Sequence, residues 1–181
     1  MSETTRMANS KHLQSWLALH LVPGMGPVTC HKLVGHFGSP EKVLSAGIDD
    51  LSGVSRLRPE SLAALTDRGR QTLKALANDE IDKAAAKHIS IIAYDDPLYP
   101  PLLKNIHDPP VVLYLRGNPA VLNCRGVGMV GSRAATHYGR STAEQLANNL
   151  ARKGFTIISG MALGIDGAAH KGAMAAEGRT I

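Results

Sequence analysis

The alternation of short apolar runs with helical segments in residues 126–181 constrains the fold more than any other feature. Buried strands are predicted at residues 127–130, 155–158 and 179–181. Between the first two, residues 138–153 repeat small apolar side chains at helical spacing, and the segment DGAAHKGAMAAE does so before the third. The order strand, helix, strand, helix, strand indicates parallel strands joined by right-handed crossovers. We therefore expect an α/β protein with a parallel sheet.

The first third of the chain has a different character, because helical patterns follow one another with short turns. Residues 1–10 are polar and are expected to form a disordered terminus. Residues 11–66 predict a small all-helical domain, in which Ser39 caps a short helix begun by Pro40. The sequence GMGP between its first two helices fits a compact turn, or a helix-hairpin-helix module that holds DNA phosphates with backbone N–H groups. The compact turn is favoured, because a short glycine turn is a common pattern.

A polar helix and a proline-rich segment separate the helical domain from the parallel strands. Residues 67–87 predict a connector helix, and residues 88–181 are assigned to a second domain. This domain opens with two short buried strands, predicted at residues 89–94 and 111–115. The segment between them, DDPLYPPLLKNIHDPP, contains five prolines and is expected to be an ordered irregular crossing or a boundary.

Two loops of small residues follow the first two parallel strands. Because parallel strands joined by helices end at the same edge of a sheet, GSRAATHYG and SGMALGID are expected to lie side by side. Each loop leads into a helix N-terminus, where unpaired N–H groups and the helix dipole favour an anion. Small or hydroxyl-bearing residues allow a phosphate to approach the backbone and accept hydrogen bonds. These residues are Gly131, Ser132, Thr136, Ser159, Gly160, Ala162 and Gly164.

Arg133 adds a full positive charge to the first loop. Its guanidinium can fork onto a phosphate or stack on a base. The alternatives are a solvated surface charge and an ion pair with Asp166. Binding is favoured, because the loop lies at the switch-point edge where such sheets bind ligands. Residues 121–181 also contain seven Lys or Arg and three Asp or Glu, which is +4 of the net charge of +5. A basic surface favours a polyanionic ligand.

Other chemistries fit these loops less well. The GSR turn is not a dinucleotide fingerprint, which would need a further glycine where Ala134 stands, and no Walker lysine follows it. Asp166 and His170 share a helix face, but two ligands do not make a metal site, and Asp166 is more simply a helix cap. His137 and His170 suit helix-cap or packing roles, and Ser159 lacks the elbow of a hydrolase nucleophile. No catalytic residue, metal or cofactor is predicted.

The chain has the features of a cytoplasmic protein. Cys30 and Cys124 lie far apart, without metal-ligand or redox spacing, which fits a reducing compartment. The polar start MSETTRMANSK lacks the apolar core of a signal peptide. The apolar run WLALHLV is far shorter than a bilayer requires, so no membrane partner is expected.

The quoted loops also resemble a known family. VGSRAATHYGR followed by IISGMALGIDGAAHKGAM resembles the signature loops of the bacterial DNA-processing protein A family, also called Smf. DDPLYPPLLKNIHDPPVVLYLRGN is similar to the stretch that introduces its nucleotide-fold domain, and the helical module is similar to its small sterile-alpha-motif-like (SAM-like) domain. The resemblance covers nearly the whole chain from about residue 10 and implies an extended Rossmann-like domain. Since family members continue beyond GRTI, we expect an N-terminal portion truncated within that domain.

The resemblance implies a non-enzymatic protein that binds and protects single-stranded DNA. Family members deliver DNA to a RecA-type recombinase during natural transformation and act as homodimers. A Rossmann-fold enzyme such as a nucleoside-monophosphate phosphoribohydrolase is the alternative, and it would use the same two loops. A purely structural helical adaptor would leave the loops unexplained. The implied DNA-binding residues are Gly131, Ser132, Arg133, Ser159, Gly160, Ala162, Gly164 and Asp166, with Lys171 added on charge grounds.

Overall fold

A computed structural model describes residues 3–181, with side chains from residue 10 onward, and divides them into two compact units. The first unit ends at Gly117, and the second comprises Asn118–Ile181. The architecture is mixed α/β, with N-terminal helices followed by a region of parallel strands, which confirms the predicted fold class. The first unit contains α1 (Glu3–His20), α2 (Pro27–Phe37), α3 (Pro40–Val43), α4 (Ile48–Val54), α5 (Pro59–Ala64), α6 (Asp67–Ala86), β1 (Ser90–Ala93) and β2 (Val112–Leu115). The second contains β3 (Gly126–Gly128), α7 (His137–Arg152), β4 (Thr156–Ile158) and α8 (Ile165–Ala175).

The helices of the first unit begin at the residues that favour helix starts. Ser39 Oγ accepts a hydrogen bond from the backbone N–H of Lys42 at 3.3 Å, which confirms the predicted cap of α3. The first helix begins at Glu3, earlier than predicted, since no glycine or proline interrupts the sequence before Pro23. Residues 1 and 2 of the expected disordered terminus lie outside the described residues.

No helix of residues 3–181 has the length and apolar character needed to cross a bilayer.

The first two strands belong to the helical unit. They pair antiparallel, with Ser90 opposite Leu115, and contribute Ala93 and Val112 to a core that also contains the buried Trp16. The predicted connector helix, α6, also packs into this core and does not stand apart from it. The boundary between the two compact units therefore falls after Gly117, whereas the sequence predicts that the second domain starts at residue 88.

His12 on α1 joins three elements of the first unit. Its Nδ1 lies 2.7 Å from Glu41 Oε1 on α3, and its Nε2 lies 2.7 Å from Asp95 Oδ2, just after β1. The indole N–H of Trp16 donates to the other oxygen of Asp95 at 2.8 Å. Burial alone lowers the pKa of His12, but the hydrogen bonds and charges of Asp95 and Glu41 outweigh it and leave this pKa raised. The doubly protonated imidazolium can donate to both carboxylates at once.

The second unit contains the predicted parallel strands. β3 pairs parallel with β4, with Gly126 opposite Thr156, and Thr180 forms a parallel bridge to Ile157 on the other side of β4. The backbone N–H of Ile181 donates to the carbonyl of Ile157 at 2.8 Å. The predicted third strand therefore begins at the expected position, and β4 lies between β3 and this third strand.

Small side chains allow α7 and α8 to pack closely. A Cβ atom at Gly172 of α8 would overlap the backbone carbonyl oxygen of Glu144 on α7, so only glycine fits this crossing. Asn148 Nδ2 donates to the carbonyl of Gly172 at 3.2 Å, which ties the helices together at the same place. Aromatic residues make up only 4% of the chain, and alanine fills this core instead. The buried alanines are Ala143, Ala147, Ala151, Ala168, Ala169 and Ala173.

Candidate nucleic-acid interface

The two loops that the sequence singles out are in contact. The first loop (residues 131–136) follows β3, and the second loop (residues 159–164) follows β4. The backbone N–H of Ile165, directly after the second loop, donates to the carbonyl of Ser132 at 3.2 Å. Gly164 has φ +85°, and a Cβ atom here would overlap the carbonyl oxygens of Ser132 and Arg133. Glycine is therefore required where the loops meet, and the predicted side-by-side placement is confirmed.

Asp166 bridges the two loops with a single carboxylate. Its Oδ1 accepts a hydrogen bond from the backbone N–H of Gly131 at 3.3 Å, and its Oδ2 accepts one from the backbone N–H of Gly160 at 3.2 Å. The residue is only 6% exposed. The cap position of α8 is Gly164, so the interpretation of Asp166 as a simple helix cap is wrong. The side chain turns instead toward the loop amides that the sequence assigns to a phosphate.

All three hydroxyl groups in these loops have hydrogen-bond partners in the structure. Ser159 Oγ donates to the carbonyl of Met129 at 2.6 Å, which joins the end of β4 to the end of β3. Thr136 Oγ1 accepts from the backbone N–H of Gly139 at 3.1 Å and so caps α7. Ser132 is exposed, and its Oγ accepts from the backbone N–H of Ala134 at 3.2 Å. Its O–H remains able to donate to a ligand, since that contact uses only the oxygen.

Arg133 presents the positive charge of the first loop. The residue is exposed, and no carboxylate among residues 10–181 forms an ion pair with it. Both oxygens of Asp166 accept from loop amides, which leaves the alternative pairing of Arg133 with Asp166 without support. An exposed, always protonated guanidinium with five donors is suited to an anion.

Lys171 lies in a groove between α7 and α8 that adjoins the second loop. Its Nζ is 3.2 Å from Glu144 Oε1, and this ion pair links the two helices. The groove has a volume of ≈ 980 Å³, and residues 161–164 of the second loop form part of its wall, together with His137 and Arg140 of α7. Lys171 therefore has a local carboxylate partner, unlike Arg133.

Three large side chains at the loops are exposed and were missed by the sequence reasoning. Met161 and Leu163 of the second loop are 80% and 82% exposed, and Tyr138 at the start of α7 is 80% exposed. Met161 also has φ +55°, which is uncommon for a residue with a side chain. For Met161 and Leu163 the sequence did contain an indication, because they are large apolar residues in a loop that otherwise contains small ones.

The two histidines near the loops have different environments. His170 is buried, and its Nδ1 lies 2.6 Å from Thr180 Oγ1, so it packs α8 against the third strand. His137 is exposed and lines the groove, while Thr136 takes the cap position. Within the described part of the chain, no three His, Cys, Asp or Glu side chains are grouped to hold a metal.

The fold and the loop surface define a class: a Rossmann-like α/β protein with two small-residue loops at the carboxyl ends of neighbouring parallel strands. Residues 90–181 match the sequence model of the family described as DNA recombination-mediator protein A. The chain belongs to this family.

Curated relatives agree with this assignment. The chain is 33% identical to Protein Smf of Synechocystis sp., in a match that covers 97% of this chain and 44% of that protein. It is 43% identical to DNA processing protein DprA of Bacillus subtilis over 51% of this chain and 32% of that protein. The chain thus spans less than half the length of these relatives.

A solved structure supports the fold. The X-ray structure of DNA processing protein A (DprA) from Streptococcus pneumoniae is similar with a TM-score of 0.63 and 25% sequence identity. The match covers 92% of this chain and 54% of that one. The similarity therefore extends over the helical unit as well as the parallel strands.

Proposed function

We propose that this chain binds the sugar–phosphate backbone of single-stranded DNA at the surface formed by the two loops. The observation that carries the proposal is the exposed guanidinium of Arg133, which has no carboxylate partner among the described side chains. It projects from a loop held against a second loop of small residues, where a nucleic-acid backbone can approach closely. The proposed surface comprises Gly131, Ser132, Arg133, Ser159, Gly160, Ala162 and Gly164, with the buried Asp166 beneath it and Lys171 in the adjoining groove.

The charge of this part of the chain favours a polyanion over a small neutral ligand. Residues 121–181 carry +4 of the net charge of +5. A surface that reads phosphates binds with strong salt dependence and little preference among bases. The family description, DNA recombination mediator, names a process that acts on DNA strands.

The wider role that we propose is non-catalytic. The protein acts in the cytoplasm as a homodimer, where it protects single-stranded DNA and delivers it to a RecA-type recombinase during natural transformation. Membership of a family of recombination mediators supports this role. Ser159 Oγ, at the start of the second loop, donates a hydrogen bond to the backbone carbonyl of Met129 and so has a structural role.

The decisive experiment compares a DNA strand with a single nucleotide. Fluorescent oligo-dT of increasing length is titrated with the chain at two salt concentrations, and nucleoside monophosphates are added as competitors. We expect affinity to rise with length and to fall with salt, with a slope of about −0.7 for each phosphate contacted. Oligo-dA should bind within a few-fold of oligo-dT.

A different result would identify the alternative. A mononucleotide that competes as well as a long oligonucleotide, with release of free base on incubation, would indicate a phosphoribohydrolase. Length-independent binding without turnover would indicate a mononucleotide-binding module and would equally refute the proposal.

A further inference from the structure

We propose that the Asp166 carboxylate is the resident anion of the two-loop surface, and that DNA phosphates are held outside it by Arg133. This inference rests on the proposed function and specifies how the site works. Asp166 is a positioning residue in this scheme and makes no contact with DNA. Its partners are the backbone N–H groups of Gly131 and Gly160, one from each loop.

These two amides are the donors that an anion would otherwise use. They lie at the carboxyl ends of adjacent parallel strands, next to the N-termini of α7 and α8. A phosphate at the same place would have to displace a carboxylate that is only 6% exposed. If the Asp166 carboxylate stayed in place, the phosphate would instead lie beside a second negative charge, which is unfavourable at such distances. The inner position is therefore occupied by the protein itself.

One further inner donor of the surface is also used internally, because the hydroxyl of Ser159 donates to the carbonyl of Met129. The side-chain donors that remain at the exposed edge are the guanidinium of Arg133 and the hydroxyls of Ser132 and Thr136, whose oxygens only accept within the loop. Asp166 determines where they lie, because it fastens the first residue of this loop to the second loop.

An experiment on the wild-type chain tests the position of the phosphate. Amide ¹H–¹⁵N NMR spectra are recorded while oligo-dT is added. We expect the largest shifts at the side chain of Arg133 and the amides of Ser132 and Ala134, with smaller shifts at Gly131 and Gly160. Larger shifts at the two glycine amides than at Arg133 would place the phosphate in the inner position and overturn the proposal.

Asp166→Asn tests the positioning role. The amide side chain keeps one acceptor but presents an NH₂ group to the second glycine N–H, so one bridge to the loops is lost. We expect oligo-dT affinity to fall about tenfold, the equivalent of one charge-assisted hydrogen bond, with an unchanged salt slope. The amide protons of Gly131 and Gly160 should move, which general destabilisation elsewhere would not cause. Adding Asp166→Asn to Arg133→Ala should lower oligo-dT affinity little further, because both substitutions affect the same contact between Arg133 and a phosphate.

The outcomes separate this inference from the function on which it rests. Tighter binding by Asp166→Asn with a steeper salt slope would show that Asp166 faces the DNA as a repelling charge, and would refute the inference alone. If wild type shows no salt-dependent binding of oligo-dT, the proposed function fails. In that case, a comparison of the Gly131 and Gly160 amide chemical shifts in wild type and Asp166→Asn still decides whether Asp166 bridges the loops. If Asp166→Asn does not fold, the wild-type titration remains decisive.

Discussion

Replacing Arg133 with alanine should remove the main attraction between the loop surface and DNA. The guanidinium is exposed and makes no ion pair with the described carboxylates, so no internal ion pair is lost with it. A hydrogen bond to a charged group contributes about 1.5–3 kcal/mol. Affinity for oligo-dT should therefore fall roughly ten- to a hundredfold. Loss of one phosphate contact should also reduce the salt slope by about 0.7.

A charge-matched control separates a local contact from the general effect of net charge. Arg152 lies in the last turn of α7, and its Nε donates to Asn148 Oδ1 at 2.8 Å. The helix has 16 residues, so Arg152 is about 24 Å along the axis from the end that adjoins the first loop. This exceeds twice the screening length of about 10 Å at 0.1 M salt. Arg152→Ala should bind oligo-dT within about twofold of wild type.

Fluorescence anisotropy over a series of salt concentrations measures both quantities, and circular dichroism checks that each variant is folded. Arg133→Lys should recover only part of the affinity, because an ammonium cannot fork or stack as a guanidinium does. If Arg133→Ala binds as wild type does, with the same salt slope, Arg133 is a surface charge and the DNA site lies elsewhere. Equal losses in Arg133→Ala and Arg152→Ala would show that only total charge matters.

Two further predictions concern stability and are tested by thermal unfolding. Gly172→Ala should destabilise the second unit by about 1–3 kcal/mol, because the new methyl group would overlap the carbonyl oxygen of Glu144. Gly128→Ala is its control and should be much milder, since a Cβ there meets no atom within 4 Å. His12→Gln should lower stability by about 1 kcal/mol near pH 6, and by much less near pH 9. The folded-state pKa of His12 is raised, so its stabilisation is complete below the ordinary value of 6.5 and is lost as pH rises through the folded-state value. An equal effect at both pH values would contradict the ion-pair explanation.

The sequence was most informative where local pattern and topology coincide. The strands around residues 127–130 and 155–158 and the helix between them follow from periodicity, and parallel pairing follows from their order. The meeting of the two loops then needs no side-chain information, because it is a property of parallel strands. The requirement for glycine at position 164 agrees with this, since the neighbouring loop leaves no room for a side chain.

Side-chain direction and long-range pairing were less predictable. β1 and β2 are separated by a proline-rich segment, and nothing local indicates that they pair with each other over the helical core. Lys171 is basic and close in sequence to the second loop, yet it faces Glu144 across a helix interface. Such partners depend on how helices rotate against each other, which alternation and spacing do not encode.

The charge at Arg133 has a physical reason in the charge at Asp166. A helix N-terminus carries about half a positive charge, so the N-termini of α7 and α8 together contribute roughly one. The Asp166 carboxylate, hydrogen-bonded to an amide of each loop, offsets that charge while it fixes the loops together. A surface built from backbone donors alone would then have little net attraction for a phosphate. The exposed guanidinium restores about one positive charge, at the outer edge where a polyanion can reach it. An arginine among small residues is therefore what a site with an internal anion requires.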